Sequence, residues 1–163
     1  ALLNPDRIDE VNVYEASPDP ENQTNYVSYL YDNKSQSWTL TDFRIDTVPI
    51  PVNQSKFLEA LDTLRRPENV GIEVHRVLDK DYTEWGISDN GMLIEIRYDD
   101  ISEEGRTYKK SNVFLIGDNL DNLQTRYGIP DNADPYQPVL ILPDQWISTV
   151  FALLESSVYK SMD

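Results

Sequence analysis

Carboxylate and side-chain amide chemistry is what this sequence has to offer. It carries 29 Asp and Glu against 14 Lys and Arg, with one histidine and no cysteine. Asp118-Asn119-Leu120-Asp121-Asn122 and, further on, Asp131-Asn132-Ala133-Asp134 gather hard oxygen donors of the kind calcium takes. Asp118, Asp121 and Asp131 make the candidate calcium set. The spacing departs from the EF-hand pattern, because Leu120 stands at a ligand position and the glycine is missing. A solvated acidic loop accounts for the same residues without a metal. Among so many acids a close carboxylate pair of the glycosidase kind arises by chance, and the spacing singles none out.

His75 is the only histidine, so a Ser-His-Asp triad would have to use it. Strand alternation sets it with Glu73, opposite Ile72 and Val74, which makes it a solvated side chain. The missing cysteine removes disulfides, thiolate metal sites and a cysteine nucleophile. Phosphate loops, dinucleotide fingerprints and nucleophile elbows are absent. We read the chain as non-enzymatic and expect no cofactor.

Binding is the remaining class. Most of the ten tyrosines fall in strand-like segments, where packing explains them. Tyr82, Trp85 and Tyr136 lie in irregular segments and are the candidate contact residues, since aromatics carry much interface energy. Packing of Trp85 beneath its own loop is the competing explanation. A net charge of −15 argues against duplex nucleic acid and anionic membrane surfaces as partners. No apolar run approaches the ~20 residues needed to span a bilayer. The opening Ala1-Leu2-Leu3-Asn4-Pro5 reads as that of a processed or excised fragment, so membrane attachment would run through a segment outside this chain. Residues 1–163 suit one globular domain.

The elements that must position these residues begin with the stretch from Trp38 to Arg66. Pro49 and Pro51 hold Val48 and Ile50 extended. Asn53 suits an N-cap, and Val52 and Phe57 have the spacing of a hydrophobic staple. The helix is expected over Gln54 to Arg66, with an apolar face of Phe57, Leu61 and Leu64 beside Leu58, and a stop at Pro67. Before it, Arg7 to Tyr14, Tyr26 to Tyr31 and Trp38 to Thr41 read as an antiparallel meander, with a loop at Ser17 to Asn22. After it come strands over Val70 to Val77, Met92 to Tyr98 and Thr107 to Ile116, with a turn at Asn90-Gly91. Asn119 to Gln137 reads as one long polar loop. Val139 to Leu142 is a buried strand. Asp144 is placed to cap a last helix whose stripe is Ile147, Val150, Phe151, Leu154 and Val158, flanked by Trp146 and Leu153. Strands, helix, strands, helix without βαβ repeats give an α+β fold: a largely antiparallel sheet with two amphipathic helices on one face.

Several short motifs occur together in order: Trp38-Thr39-Leu40-Thr41, Pro51-Val52-Asn53, Phe57-Leu58-Glu59-Ala60-Leu61, Tyr82 with Trp85-Gly86-Ile87, Leu115-Ile116-Gly117-Asp118, and Val139-Leu140-Ile141-Leu142 with its helix. In this the chain resembles the bacterial family called domain of unknown function 4340 (DUF 4340). It departs where Asp89-Asn90-Gly91 replaces an expected proline, and where the loop after Asp118 is long and lacks the family's glycine-rich character. The resemblance implies an extracytoplasmic domain, tethered in the full-length protein by an N-terminal membrane segment and often associated with ABC-type transport systems. No catalytic residues are established for the family. The expected function is that of a non-enzymatic accessory or interaction domain of the cell envelope, with a protein partner. The alternative is a glycan- or peptide-binding module, with or without help from calcium.

Overall fold

The structure is a computed structural model describing residues 8–16, 25–66, 70–88, 91–120, 125–131 and 136–161. Apolar–polar alternation produces strands Ile8–Glu15 (β1), Asn25–Asp32 (β2) and Ser37–Asp42 (β3), followed by the short Ile50–Pro51 (β4). Helix Gln54–Arg65 (α1) comes next, then Gly71–Val74 (β5), Met92–Ile101 (β6), Thr107–Asn119 (β7), Arg126–Asp131 (β8) and Val139–Leu142 (β9). Helix Asp144–Glu155 (α2) closes the order of main elements. The strands form one antiparallel sheet in the order β4-β3-β2-β1-β6-β7-β8-β9-β5. The fold is therefore α+β, as the order of elements predicts.

Both helices lie on one sheet face. Val11, Val13, Val27, Tyr29, Leu40, Ile94 and Ile96 point into the core that Phe57, Leu61, Trp146 and Leu153 fill from above. Tyr29 joins the layers: its ring stacks on Phe57 at 4.8 Å and its hydroxyl donates to the Leu153 carbonyl at 2.6 Å. The Trp146 indole N–H donates to the Leu64 carbonyl at 3.1 Å, which ties α2 to α1.

Asn53 caps α1, its side chain accepting from the Lys56 amide at 3.3 Å. Val52 and Phe57 are both buried in the main core, while Leu58 is exposed. Arg66 follows the helix as its C-cap. Pro67 lies outside the described residues, as do Ser17 to Asn22 and Asn90 of the expected turn.

Four sequence expectations need correction. Pro143, in extended geometry, is the N-cap of α2, and Asp144 is its first helical residue with no side-chain capping bond. There its charge still suits the helix N-terminus. Val158 lies beyond the helix, because Ser156 turns the chain at φ +73, and it is 47% exposed. Strand β5 is shorter than Val70 to Val77, and a register shift between Ile72 and Val74 leaves Ile72 exposed. The segment from Asn119 to Gln137 is not one loop: β7 runs on to Asn119 and β8 lies within it.

Candidate functional site

Among the described residues, a connecting segment covers one end of the second face of the sheet. Residues 77–87 fold across β7, β8 and β9, where Val77 and Ile87 form a second core with Leu115, Ile129 and Val139. Tyr82, Trp85 and Leu93 pack against it. The close approach depends on two glycines. A Cβ on Gly117 would run into the Trp85 carbonyl oxygen, and one on Gly86, at φ +71, would overlap the Asp118 carboxylate.

The three aromatic residues singled out from the sequence all serve this cover. The Tyr82 hydroxyl accepts from the Gln137 amide at 2.9 Å and its ring packs on the second core. Trp85 packs there too and stays half-exposed. Tyr136 lies beneath two cations, Arg76 at 4.6 Å and Lys80 at 5.1 Å from its ring centre.

The calcium set does not converge in its described part. Asp131 pairs with Val113, whereas Asp118 lies near the other end of the β7–β8 pairing, between the Ile116–Gly128 and Asn119–Arg126 partners. At a strand's rise per residue their backbones are roughly 17 Å apart. Asp121 and the Asp131 side chain lie outside the described residues. Among the described residues there is no group of three metal-binding side chains. His75 is exposed, as expected, but it lies just past the edge strand, and Ile72 is exposed as well.

A different constellation forms on β3, β2, β1 and β6, on the half of this face that residues 77–87 do not reach. Strand register sets Thr41, Ser28, Asn12 and Glu95 side by side across four strands. Asn12 is the hub and is only 5% exposed. Its amide donates to Glu10 at 2.6 Å and to Glu95 at 2.9 Å, and its carbonyl accepts from the Ser28 hydroxyl at 2.7 Å. One NH₂ group thus holds two carboxylates within a few ångströms of each other. Arg97 stands 3.8 Å from Glu10. Glu10 shares this face with Asn12 by strand alternation, whereas the register shift between Ile8 and Glu10 turns Ile8 to the opposite face and into the core.

Beside the polar row runs an aromatic one. Tyr14 and Tyr26 meet edge to face at 6.1 Å, and Tyr26 meets Phe43 likewise at 4.9 Å. Register continues this row through Leu93 and Leu115 to Ile129, so it runs on into the second core. Tyr26 is held above its ordinary pKa, first by burial and then by the negative charge of Glu10 and Glu95. Leu30, on the same face, is 39% exposed. Sequence reading missed this group, since Asn12 and Glu95 are 83 positions apart. The only local signal was a polar Asn12 between two core valines.

No family model matches the chain, and neither a curated protein nor a solved structure does.

Proposed function

We propose that this is a non-enzymatic interaction domain that presents the β3-β2-β1-β6 face to a protein partner in the bacterial cell envelope. The observation that carries this reading is the juxtaposition of the Tyr14–Tyr26–Phe43 row with the carboxylate pair on Asn12. Aromatic rings beside fixed charges are what interface hot spots use. The partner's complementary feature is a basic one, given Glu10, Glu95 and a net charge of −15.

Recognition fits the pair better than hydrolysis does. Glycoside cleavage requires one carboxylic acid that holds a proton to give away. Glu10 and Glu95 both accept from the same amide, and Arg97 stands beside Glu10, so in these contacts neither carboxyl is placed as a proton donor. Placement in the envelope, tethering by an upstream segment and association with a transport system rest on the ordered motifs shared with DUF 4340. Tyr82, Trp85 and Tyr136 would act as the support of this face rather than as its contact residues.

The test is capture from envelope extract by the parent domain and by two charge-reversal variants, Glu95→Lys on the proposed face and Glu84→Lys away from it. A partner retained by Glu84→Lys and lost with Glu95→Lys, and released by salt, supports the reading. A glycan array run in parallel addresses the alternative, in which the tyrosine row is a sugar platform. Specific glycan binding without a protein partner would replace the proposal by that alternative.

A further inference from the structure

We propose that the cleft between α2 and the β7–β8 end of the sheet is a binding site for a monocarboxylate with a short apolar chain. The cleft has a volume of about 270 Å³ and is lined by Asn119, Arg126, Ile147, Ser148 and Phe151. Among the described lining residues Arg126 is the only cation and none is an acid. A second cleft of similar size, between α1 and the turn Ser157–Tyr159, holds Lys56 and Glu59 together and so balances its own charge.

Arg126 is fixed from two sides. Its guanidinium carbon lies 4.6 Å from the centre of the Phe151 ring, and Nη1 donates to the Gly117 carbonyl at 3.1 Å. A guanidinium has five N–H donors in a rigid fork. The Gly117 carbonyl takes one, and among the described residues no carboxylate pairs with Arg126. In a chain with 29 acids, a held guanidinium facing a cleft with no acid among its described lining residues is a site prepared for an anion.

The anion is a carboxylate because of what surrounds it. Carboxylates meet a guanidinium through two parallel hydrogen bonds. Ile147 and Phe151 give an alkyl chain an apolar wall that inorganic phosphate would leave unused. A phosphate dianion is also repelled about twice as strongly by the negative field of the whole chain. A free small acid and the carboxyl terminus of a peptide present the same group.

Calorimetric or NMR titration of the full chain with 4-methylpentanoate, N-acetyl-leucine and inorganic phosphate tests the assignment. Both carboxylates should bind with a Kd of about a millimolar, and phosphate more weakly. Arg126→Gln should weaken binding at least about tenfold. That variant also loses the bond to Gly117, so Ser148→Leu separates site from fold: it fills the cleft from an exposed helix position and should abolish binding with the melting temperature unchanged. Binding of both carboxylates identifies the free group as sufficient, and binding of N-acetyl-leucine alone identifies a chain end as the source. Failure of both to bind, binding that survives both variants, or tighter binding of phosphate overturns the proposal.

Discussion

The Trp85 carbonyl lies directly over Gly117, so that the 3-10 turn Thr83–Trp85 rides on β7 with no side chain between them. Two of the short motifs of the sequence, Trp85-Gly86-Ile87 and Leu115-Ile116-Gly117-Asp118, are therefore the two sides of one contact. Their glycines are required by close approach. Gly117→Ala should cost about 1–3 kcal/mol, because a backbone carbonyl cannot rotate out of the way as a side chain can. Gly71→Ala is the control: its Cβ would meet Ile141 at an ordinary 3.4 Å, so the effect should be near zero or slightly stabilising. Urea unfolding followed by tryptophan fluorescence separates the two, and equal effects would disprove the contact.

Phe57 is the side chain on which both helices depend. It stacks on Tyr29 and lies 4.6 Å from the Trp38 ring centre, with Tyr159 edge-on at 6.2 Å. Phe57→Ala should cost about 3–5 kcal/mol, as deep aromatic truncations do. Leu58→Ala, one position on but exposed, should change stability by less than about 0.5 kcal/mol. An unfolding midpoint unmoved by Phe57→Ala would remove α1 from its assigned place.

Much of this architecture was legible in the sequence, and the exceptions have physical causes. Strands β1, β2, β6 and β9 announce themselves because one face is apolar throughout. Strand β8 does not, since its helix-facing positions are Arg126, Gly128 and Pro130. Above Gly128 the space is filled by Leu142 from the next strand, so no apolar side chain is needed there. Pro130 is tolerated because β9 pairs only with Arg126 to Gly128. The carboxylate pair on Asn12 depends on the cross-strand register that brings Glu95 to it, which leaves no mark in local sequence. The Arg126 cleft depends on the same unread strand.

Asp42 and Arg44 join the end of β3 to the end of α2, and this joint should be sensitive to acid. Arg44 donates to Asp42 at 2.8 Å from both Nε and Nη2, and Nη2 reaches the Leu154 carbonyl at 2.6 Å. The buried Ser156 hydroxyl adds a bond to Asp42 at 3.0 Å. Burial alone would raise the Asp42 pKa, but hydrogen bonds from Arg44 and Ser156 outweigh it and hold the carboxyl below its ordinary value. A depressed folded-state pKa means that the stabilisation is fully present above the unfolded value of about 3.9 and is lost as pH falls through the folded value. Asp42→Asn should cost about 1.5–3 kcal/mol at neutral pH. Its stability curve should converge with that of the parent on acidification below pH ~4. A constant gap down to the acid transition would show that the Asp42 charge does not matter.

Calcium should leave the melting temperature unchanged. Strand register keeps Asp118 and Asp131 apart, so the set expected from the sequence does not come together through its described members. Any ion bound to the folded chain alone would raise the midpoint by mass action. A rise of several degrees at millimolar calcium, lost in Asp121→Ala, would show that Asp121 recruits ligands other than these two.

Asn12 should prove to be a separator of charges as much as a core polar residue. Its amide hydrogens lie between Glu10 and Glu95, and its carbonyl takes the Ser28 proton, so one side chain satisfies three others. Asn12→Ala leaves two carboxylates facing each other and a hydroxyl without its acceptor. The expected loss is about 1–3 kcal/mol. Two contributions can be told apart by salt. The repulsion between the carboxylates is screened as the Debye length falls from ~10 Å at 0.1 M to ~3 Å at 1 M, whereas the loss of the Ser28 bond is not. The destabilisation should therefore shrink in salt relative to the parent measured under the same conditions. Adding Glu95→Gln to the Asn12→Ala background should recover part of the loss, because it removes one of the two charges and returns an amide donor to the site. A destabilisation equal at low and high salt and untouched by Glu95→Gln would mean that the carboxylates do not sense each other, and the charged half of the proposed interaction face would then lose its basis.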